Sequence, residues 1–358
     1  MGYEKTIWAG EGTLAREQEY DYHWCYERGI ITKAWVDVYE KTGDKRFFDA
    51  AKANVDKYVT EGGEILTYEP EKFNIDMICM GRTAIRMYKA TGEKKYEIAC
   101  RRLIAQLENH PRTAEGGFWH KQIYPQQMWL DGIYMASPFM VEFAVTFGEM
   151  KWADEAVSQM KLIFEKTRLE SGLHAHAWDS AKAQPWADPE TGLSPHVWGR
   201  AMGWFVMAHA DVLMSLPKDH PGYADIAAQM TSLLEAVKEN RAEDKLWHQV
   251  MDRPANAENY AESSCSAMFI YGLCAAAEMG VAGGDAAFAR ESMDALWEKN
   301  VVTAADGFPE LTRICKVAGL GGEPYRSGSY EYYVTELVCS GDTKGTAPFL
   351  MSCACVGI

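Results

Sequence analysis

A junction that recurs along the chain constrains the fold most. Residues 39–50 read Tyr-Glu-Lys-Thr-Gly-Asp-Lys-Arg-Phe-Phe-Asp-Ala; residues 88–99, which begin 49 residues later, read Tyr-Lys-Ala-Thr-Gly-Glu-Lys-Lys-Tyr-Glu-Ile-Ala. In each copy a helical pattern stops at Thr-Gly. An acidic residue follows, then two cations, an aromatic and a second amphipathic pattern. Glycine is the usual residue just past a helix end, and an acidic side chain suits the start of the next helix. Fainter copies follow at Phe143–Trp152, Leu213–Tyr223 and Ala276–Asp285. The segments between them keep a helical period, as in Ile31, Ala34, Trp35, Val38 and Tyr39.

Five such junctions recur at roughly 50–75-residue intervals, with room for a sixth. The common helical arrays repeat at about 33–34 residues, so these units are longer. Strand signals are few: Gly62–Tyr68 and Lys245–Val250 are short candidates at loop hairpins. Six helical hairpins closed in a ring make an all-α (α/α)6 barrel. A length of 358 residues would allow two or three domains, but no Pro/Ser-rich linker or low-complexity tract divides it. Residues 1–358 therefore read as a single barrel domain.

In such a ring the tight junctions share one end, and the segments midway between them share the other. Those midway segments hold the unusual residues: Trp24 to Glu27, Asn74 to Asp76, Trp119 to Lys121 with Met128 to Asp131, His174 to Asp179, His196 to Arg200, and Glu258 to Ser264. Tryptophan and tyrosine offer flat apolar faces with a polar edge, which suits sugar rings. In Gln126 to Met135 a single carboxylate, Asp131, stands among Trp, Leu, Ile, Tyr and Met with no cation nearby in sequence. Burial there would resist ionisation, the state a general acid needs; a helix-end or turn role with Gly132 is the plainer alternative. Asp76 reads first as a helix cap. Arg200 between Trp198 and Trp204 either packs a helix start or holds a carboxylate under stacked rings. His174 and His176 are a thin zinc signal without a third ligand, and a backbone-bonded loop histidine is the alternative. The Gly-rich stretch Gly319 to Tyr330 lacks the spacing of a dinucleotide loop and reads as a loop rimming a pocket.

Charge and cysteine usage narrow the partners. The net charge of −15 and the lack of a basic stripe argue against nucleic acid. An anionic substrate would then need a local cationic pocket. No apolar run approaches the roughly 18 residues of a membrane helix. Nine Cys without a CxxC pair point to a reducing, cytoplasmic setting.

Taken in order, these motifs resemble glycoside hydrolase family 105, the unsaturated rhamnogalacturonyl hydrolases, and less closely the family 88 unsaturated glucuronyl hydrolases. Met128-Trp-Leu-Asp131-Gly-Ile-Tyr-Met carries the most specific match. Trp24-Cys-Tyr-Glu-Arg-Gly, Ile75-Asp76 to Arg82, Gly172 to Asp179, Trp198-Gly-Arg200, Glu262-Ser-Ser and Asp342-Thr-Lys-Gly345 run alongside it, nearly end to end.

The resemblance implies an (α/α)6 barrel that hydrates the C4=C5 bond of a 4,5-unsaturated uronic acid. Asp131 would be the acid/base, and Asp76 a second acid that holds sugar hydroxyls or tunes Asp131. His120, His176, Trp198 and Arg200 match pocket-lining positions of the family; together with Trp24, Met128, Trp129 and Trp204 we read them as substrate-binding, with Arg200 assigned to the uronate carboxylate and the tryptophans to stacking. Neither metal nor cofactor is implied. The partner would be a small lyase-made oligosaccharide, and the protein a monomer or homodimer. Asn74-Ile-Asp76, Ala201-Met202 and the extra His174 differ from the family's usual residues, so the sugar after the uronate stays open. A sugar 2-epimerase using His174, His176 and His248, or a helical scaffold, would share the same barrel.

Overall fold

The computed structural model describes residues 2–17 and 23–358. In chain order its helices are α1 (Glu4–Ala15), α2 (Tyr26–Thr42), α3 (Lys45–Asp56), α4 (Gly81–Thr91), α5 (Lys94–Glu108), α6 (Leu130–Phe147), α7 (Lys151–Thr167), α8 (Gly199–Ser215), α9 (Tyr223–Glu239), α10 (Ser263–Met279), α11 (Ala286–Asn300), the short α12 (Tyr330–Thr335) and α13 (Thr343–Val356). Burial separates them into two rings. In α10 every residue from Ser263 to Ala276 is buried, as expected of a helix covered on all sides. In α3 only Phe47, Ala51, Asn54 and Val55 are buried, a stripe at helical spacing.

The inner helices α2, α4, α6, α8, α10 and α13 each pack on the next, and α13 returns to α2. Helices α3, α5, α7, α9 and α11 each back onto the inner helix before them, while α1 backs onto α13. This is the (α/α)6 barrel. Its sixth hairpin is assembled from the two ends of the described chain: the Thr6 amide and hydroxyl both donate to the Ile358 carbonyl, at 2.9 and 2.7 Å.

The repeated junction forms as its residues dictate. Gly43 and Gly92 take left-handed backbone (φ 76° and 71°), and their amides donate to the Tyr39 and Tyr88 carbonyls. The Asp44 side chain then accepts from the Arg46 amide and starts α3. One apolar core joins helices from both rings; truncating the fully buried Phe139 to Ala would cost about 3–5 kcal/mol.

Short antiparallel pairs sit in the long connections: β1 (Gln127–Trp129) with β2 (Ala177–Asp179), β3 (Val301–Thr303) with β4 (Pro309–Leu311), and β5 (Ile314–Cys315) with β6 (Val338–Cys339). The two expected strand candidates form only isolated bridges, Val59 with Ile65 in the first and His248 with Ala261 and Val250 with Trp198 in the second. None of the described helices is long and apolar enough to cross a membrane.

Midway down the barrel the inner helices exchange charges. The Arg82 Nε and Nη2 donate to Glu142 Oε1 at 2.9 and 2.7 Å, and its Nη1 donates to Asp211 Oδ2 at 2.6 Å. The Tyr271 hydroxyl donates to the other Asp211 oxygen at 2.6 Å, and Lys33 lies 3.8 Å from Asp211. Burial alone would raise the Asp211 carboxyl, but Arg82 and Lys33 hold it below the usual carboxylate range.

Candidate active site

The inner helices begin at the end away from the Gly junctions, and a cavity of about 260 Å³ opens there. That volume is at the small end of the roughly 300–1,000 Å³ typical of small-molecule sites. Its carboxylates are Glu27, Asp76 and Asp131, and its cations Lys121, Arg200, Arg326 and Lys344. In a chain of net charge −15, this is a local concentration of positive charge.

Asp131 lies in the first turn of α6. No side chain caps this helix, so Asp131 is not spent on the backbone there. Its apolar sequence neighbours turn into the core, while Asp131 itself lines the cavity. Oδ2 is buried and has no hydrogen-bond partner among the described residues. Its neighbour is His176 Nε2, 3.2 Å away. The pairing of β1 with β2 makes this contact: Trp129 stands opposite Ala177, and the Leu130 amide donates to the His176 carbonyl at 3.1 Å. Behind it, His176 Nδ1 meets the Tyr333 hydroxyl of α12 at 2.7 Å. The carboxyl that looked remote from any cation in sequence thus shares its cavity with four cations from elsewhere in the chain.

Asp76 does not cap α4. It sits in a 3-10 turn, Ile75–Ile78, where the Asn74 side chain is the cap and accepts from the Asp76 amide. Lys121 Nζ is 2.7 Å from Asp76 Oδ2, and His120 Nε2 is 3.6 Å from Oδ1. Burial would raise the Asp76 carboxyl, but Lys121 and His120 outweigh it and hold it below its ordinary range. Burial pushes His120 down to about 4, so its ring is neutral near pH 7. That ring lies nearly parallel to Trp129 (centroids 4.5 Å apart), and Trp129 nearly parallel to Tyr124 (5.0 Å).

Arg200 is buried and partly committed. Its Nε donates to Ser264 at 2.8 Å, and its Nη2 to the Cys315 carbonyl, with Glu262 at 3.5 Å. Burial works against its charge, but Glu262 keeps it firmly protonated. Nη1 makes no hydrogen bond among the described residues. Trp198 lies under the guanidinium at 5.2 Å, and both Trp198 and Trp204 line the cavity.

Trp24 and Met128 are placed elsewhere. Trp24 is fully buried, and its Nε1 donates to the Met77 carbonyl at 2.7 Å. Met128 is buried with its sulfur against Gly117. Both belong to the packing that supports the mouth. His174 bonds Thr167 through Nδ1 at 2.9 Å beside Phe164 and Phe205, and burial pushes it down to about 3. Neither it nor His248 lines the cavity, so the histidines of the epimerase reading are not gathered there.

Sequence reasoning did not single out Tyr124, Lys344 or Tyr333, nor Lys121 as the partner of Asp76. Arg326 comes from the Gly-rich stretch expected at the rim. Its Nη2 donates to the Tyr124 hydroxyl at 2.8 Å and its Nε to the Gly321 carbonyl at 2.8 Å.

A closed ring of helical hairpins whose mouth pairs carboxyls with stacked aromatic rings is the frame of a glycoside hydrolase. The chain belongs to Glycosyl Hydrolase Family 88, whose family model matches residues 8–356. It is similar to a structure of a glycoside hydrolase from family 105 of C. acetobutylicum ATCC 824, with 37% identity over 98% of both chains and a TM-score of 0.95. A 24.9 kDa protein in the picA locus of Rhizobium radiobacter is 38% identical over 227 residues, 62% of this chain and 97% of that one. An unsaturated glucuronyl hydrolase of Bacillus sp. GL1, described as responsible for glycosaminoglycan degradation, shares the fold: TM-score 0.72, 15% identity, 98% and 96% of the chains covered.

Proposed function

We propose that this glycoside hydrolase releases a 4,5-unsaturated uronic acid from the non-reducing end of lyase-made oligosaccharides, with a rhamnogalacturonan-type disaccharide as the leading substrate. The observation that carries this reading is the buried Asp131 oxygen without a hydrogen-bond partner among the described residues, set in a cavity with four cations and three carboxylates. Ordinary glycoside hydrolysis uses a pair of carboxylates acting on the anomeric carbon. Here one carboxyl suffices, because the C4=C5 bond is a vinyl ether and accepts a proton directly.

Asp131 delivers its proton to C4, and the alkene's electron pair forms the new C–H bond. Positive charge then spreads over C5 and the ring oxygen. A water oxygen bonds to C5 while the Asp131 carboxylate takes the water's proton, which restores the acid. The product is a hemiketal; it opens at the bond between C5 and the ring oxygen, and the exposed C1 centre releases the neighbouring sugar. His176 orients the carboxyl from 3.2 Å. Arg200 Nη1 meets the uronate, and the tryptophans stack on the ring. The free thiols suit a reducing cytoplasm, with the protein acting as a monomer or homodimer on small oligosaccharides.

The test is loss of ultraviolet absorbance from an unsaturated disaccharide. Wild type should consume it, with or without a strong chelator, and Asp131→Asn should not. Equal rates in both would remove Asp131 from the chemistry.

A further inference from the structure

At the barrel end opposite the mouth, two thiols and a carboxylate converge. Cys274 and Glu278 are one helical turn apart on α10, and Cys355 faces them from α13. One ligand atom from each, the two sulfurs and a carboxylate oxygen, all lie within 4.8 Å of one another. Beside them is a small cavity of about 100 Å³ whose charged lining is balanced, with Lys33, Lys41 and Arg86 against Asp37, Glu40 and Glu278. Cys274 is buried, Cys355 is half-buried and Glu278 is exposed, so an ion has a way in from solvent.

We propose that Cys274, Cys355 and Glu278 form a binding site for a thiophilic divalent cation of the zinc type, separate from the hydrolase site. Thiolate and carboxylate are ligands zinc accepts together, with bonds of about 2.3 Å to sulfur and 2.0–2.2 Å to oxygen. In a tetrahedral ion those bonds place ligand atoms about 3.3–3.8 Å apart, so side-chain rotations of about an ångström would close the set. A water would supply the fourth position.

Two further features of this end favour a cation. The site lies by the C-terminal ends of α10 and α13, where unsatisfied carbonyls carry partial negative charge. Charge also balances with Lys41, whose Nζ sits 2.8 and 3.1 Å from the Glu278 oxygens. Without metal, the Lys41–Glu278 ion pair is neutral overall. With a divalent ion, two thiolates and the carboxylate leave one negative charge, and Lys41 offsets it. Binding would release the two thiol protons.

Cobalt(II) is the probe, added to the reduced full-length protein. The expected result is one equivalent bound with an intense near-ultraviolet sulfur-to-cobalt band, displaced by zinc. The band should vanish in both Cys274→Ser and Cys355→Ser, and Glu278→Gln should weaken binding at least tenfold. Hydrolase activity should persist in all three variants, since none touches the mouth. Cys355→Ser is the more informative variant if Cys274→Ser folds poorly, because its side chain is already half in solvent. A wild type without the band, or a band surviving in both cysteine variants, would overturn the site.

Discussion

Two levels of the barrel bury charge, and they do so differently. Midway down, all three guanidinium nitrogens of Arg82 are hydrogen-bonded, and both Asp211 oxygens have donors. At the mouth, Asp131 Oδ2, His176 Nε2 and His120 Nδ1 are buried without hydrogen-bond partners among the described residues. A buried polar group left unpaired costs about 1–3 kcal/mol. The middle network therefore holds helices together, whereas these groups at the mouth make no such link among the described residues.

Four outcomes would sharpen or break that contrast. The largest is Asp131→Asn: kcat should fall by about 10²–10⁴-fold, the range of general acid–base catalysis, with thermal stability unchanged or slightly higher. Next is Arg82→Met, which leaves Glu142 and Asp211 buried without their shared cation. Urea unfolding should show a loss of about 3–5 kcal/mol, with kcat per folded molecule much less affected. A stable Arg82→Met protein would show that the network does not hold the barrel.

Smaller is Tyr333→Phe, which removes the partner of His176 Nδ1. A hydrogen bond is worth about 0.5–1.5 kcal/mol, so kcat/KM should drop several-fold and the pH–rate profile should move. An unchanged profile would detach Tyr333 from the acid.

The smallest at neutral pH is a slope. Burial pushes His120 and His209 down to about 4 and His174 to about 3. Between the ordinary histidine value near 6.5 and those lowered values, the unfolded chain binds protons that the folded chain does not. Stability should therefore fall as pH drops through that window. Replacing His120 with Gln should remove about one proton from the slope near pH 5. A slope identical to wild type would show that His120 is already protonated in the folded protein.

The parts legible from sequence were the local ones. Thr42-Gly43 and Thr91-Gly92 announce helix ends because a left-handed cap requires little beyond the glycine itself. The stripe of α3 reads directly as a face. The sixth hairpin was not legible as a junction, because it joins Thr6 to Ile358. Nor was the contact between His176 and Asp131, which depends on the register of β1 against β2. The Asp76–Lys121 pair spans two separate connections. Trp24 and Met128 drew attention through side chains that serve a sugar pocket or a core equally well, and only position decides between them.

The link between Thr6 and Ile358 also bears on the order of assembly. The helices that lock the ring, α1 and α13, lie far apart in the chain: α1 touches α2 through the Trp35–Thr13 hydrogen bond, but it lacks its main inner partner until α13 has been made. Lys344, on α13, is one of the cations of the mouth. A nascent chain halted before α13 would hold an open crescent of hairpins with exposed apolar flanks and an unfinished catalytic chamber, and chaperone dependence should concentrate at that stage of synthesis.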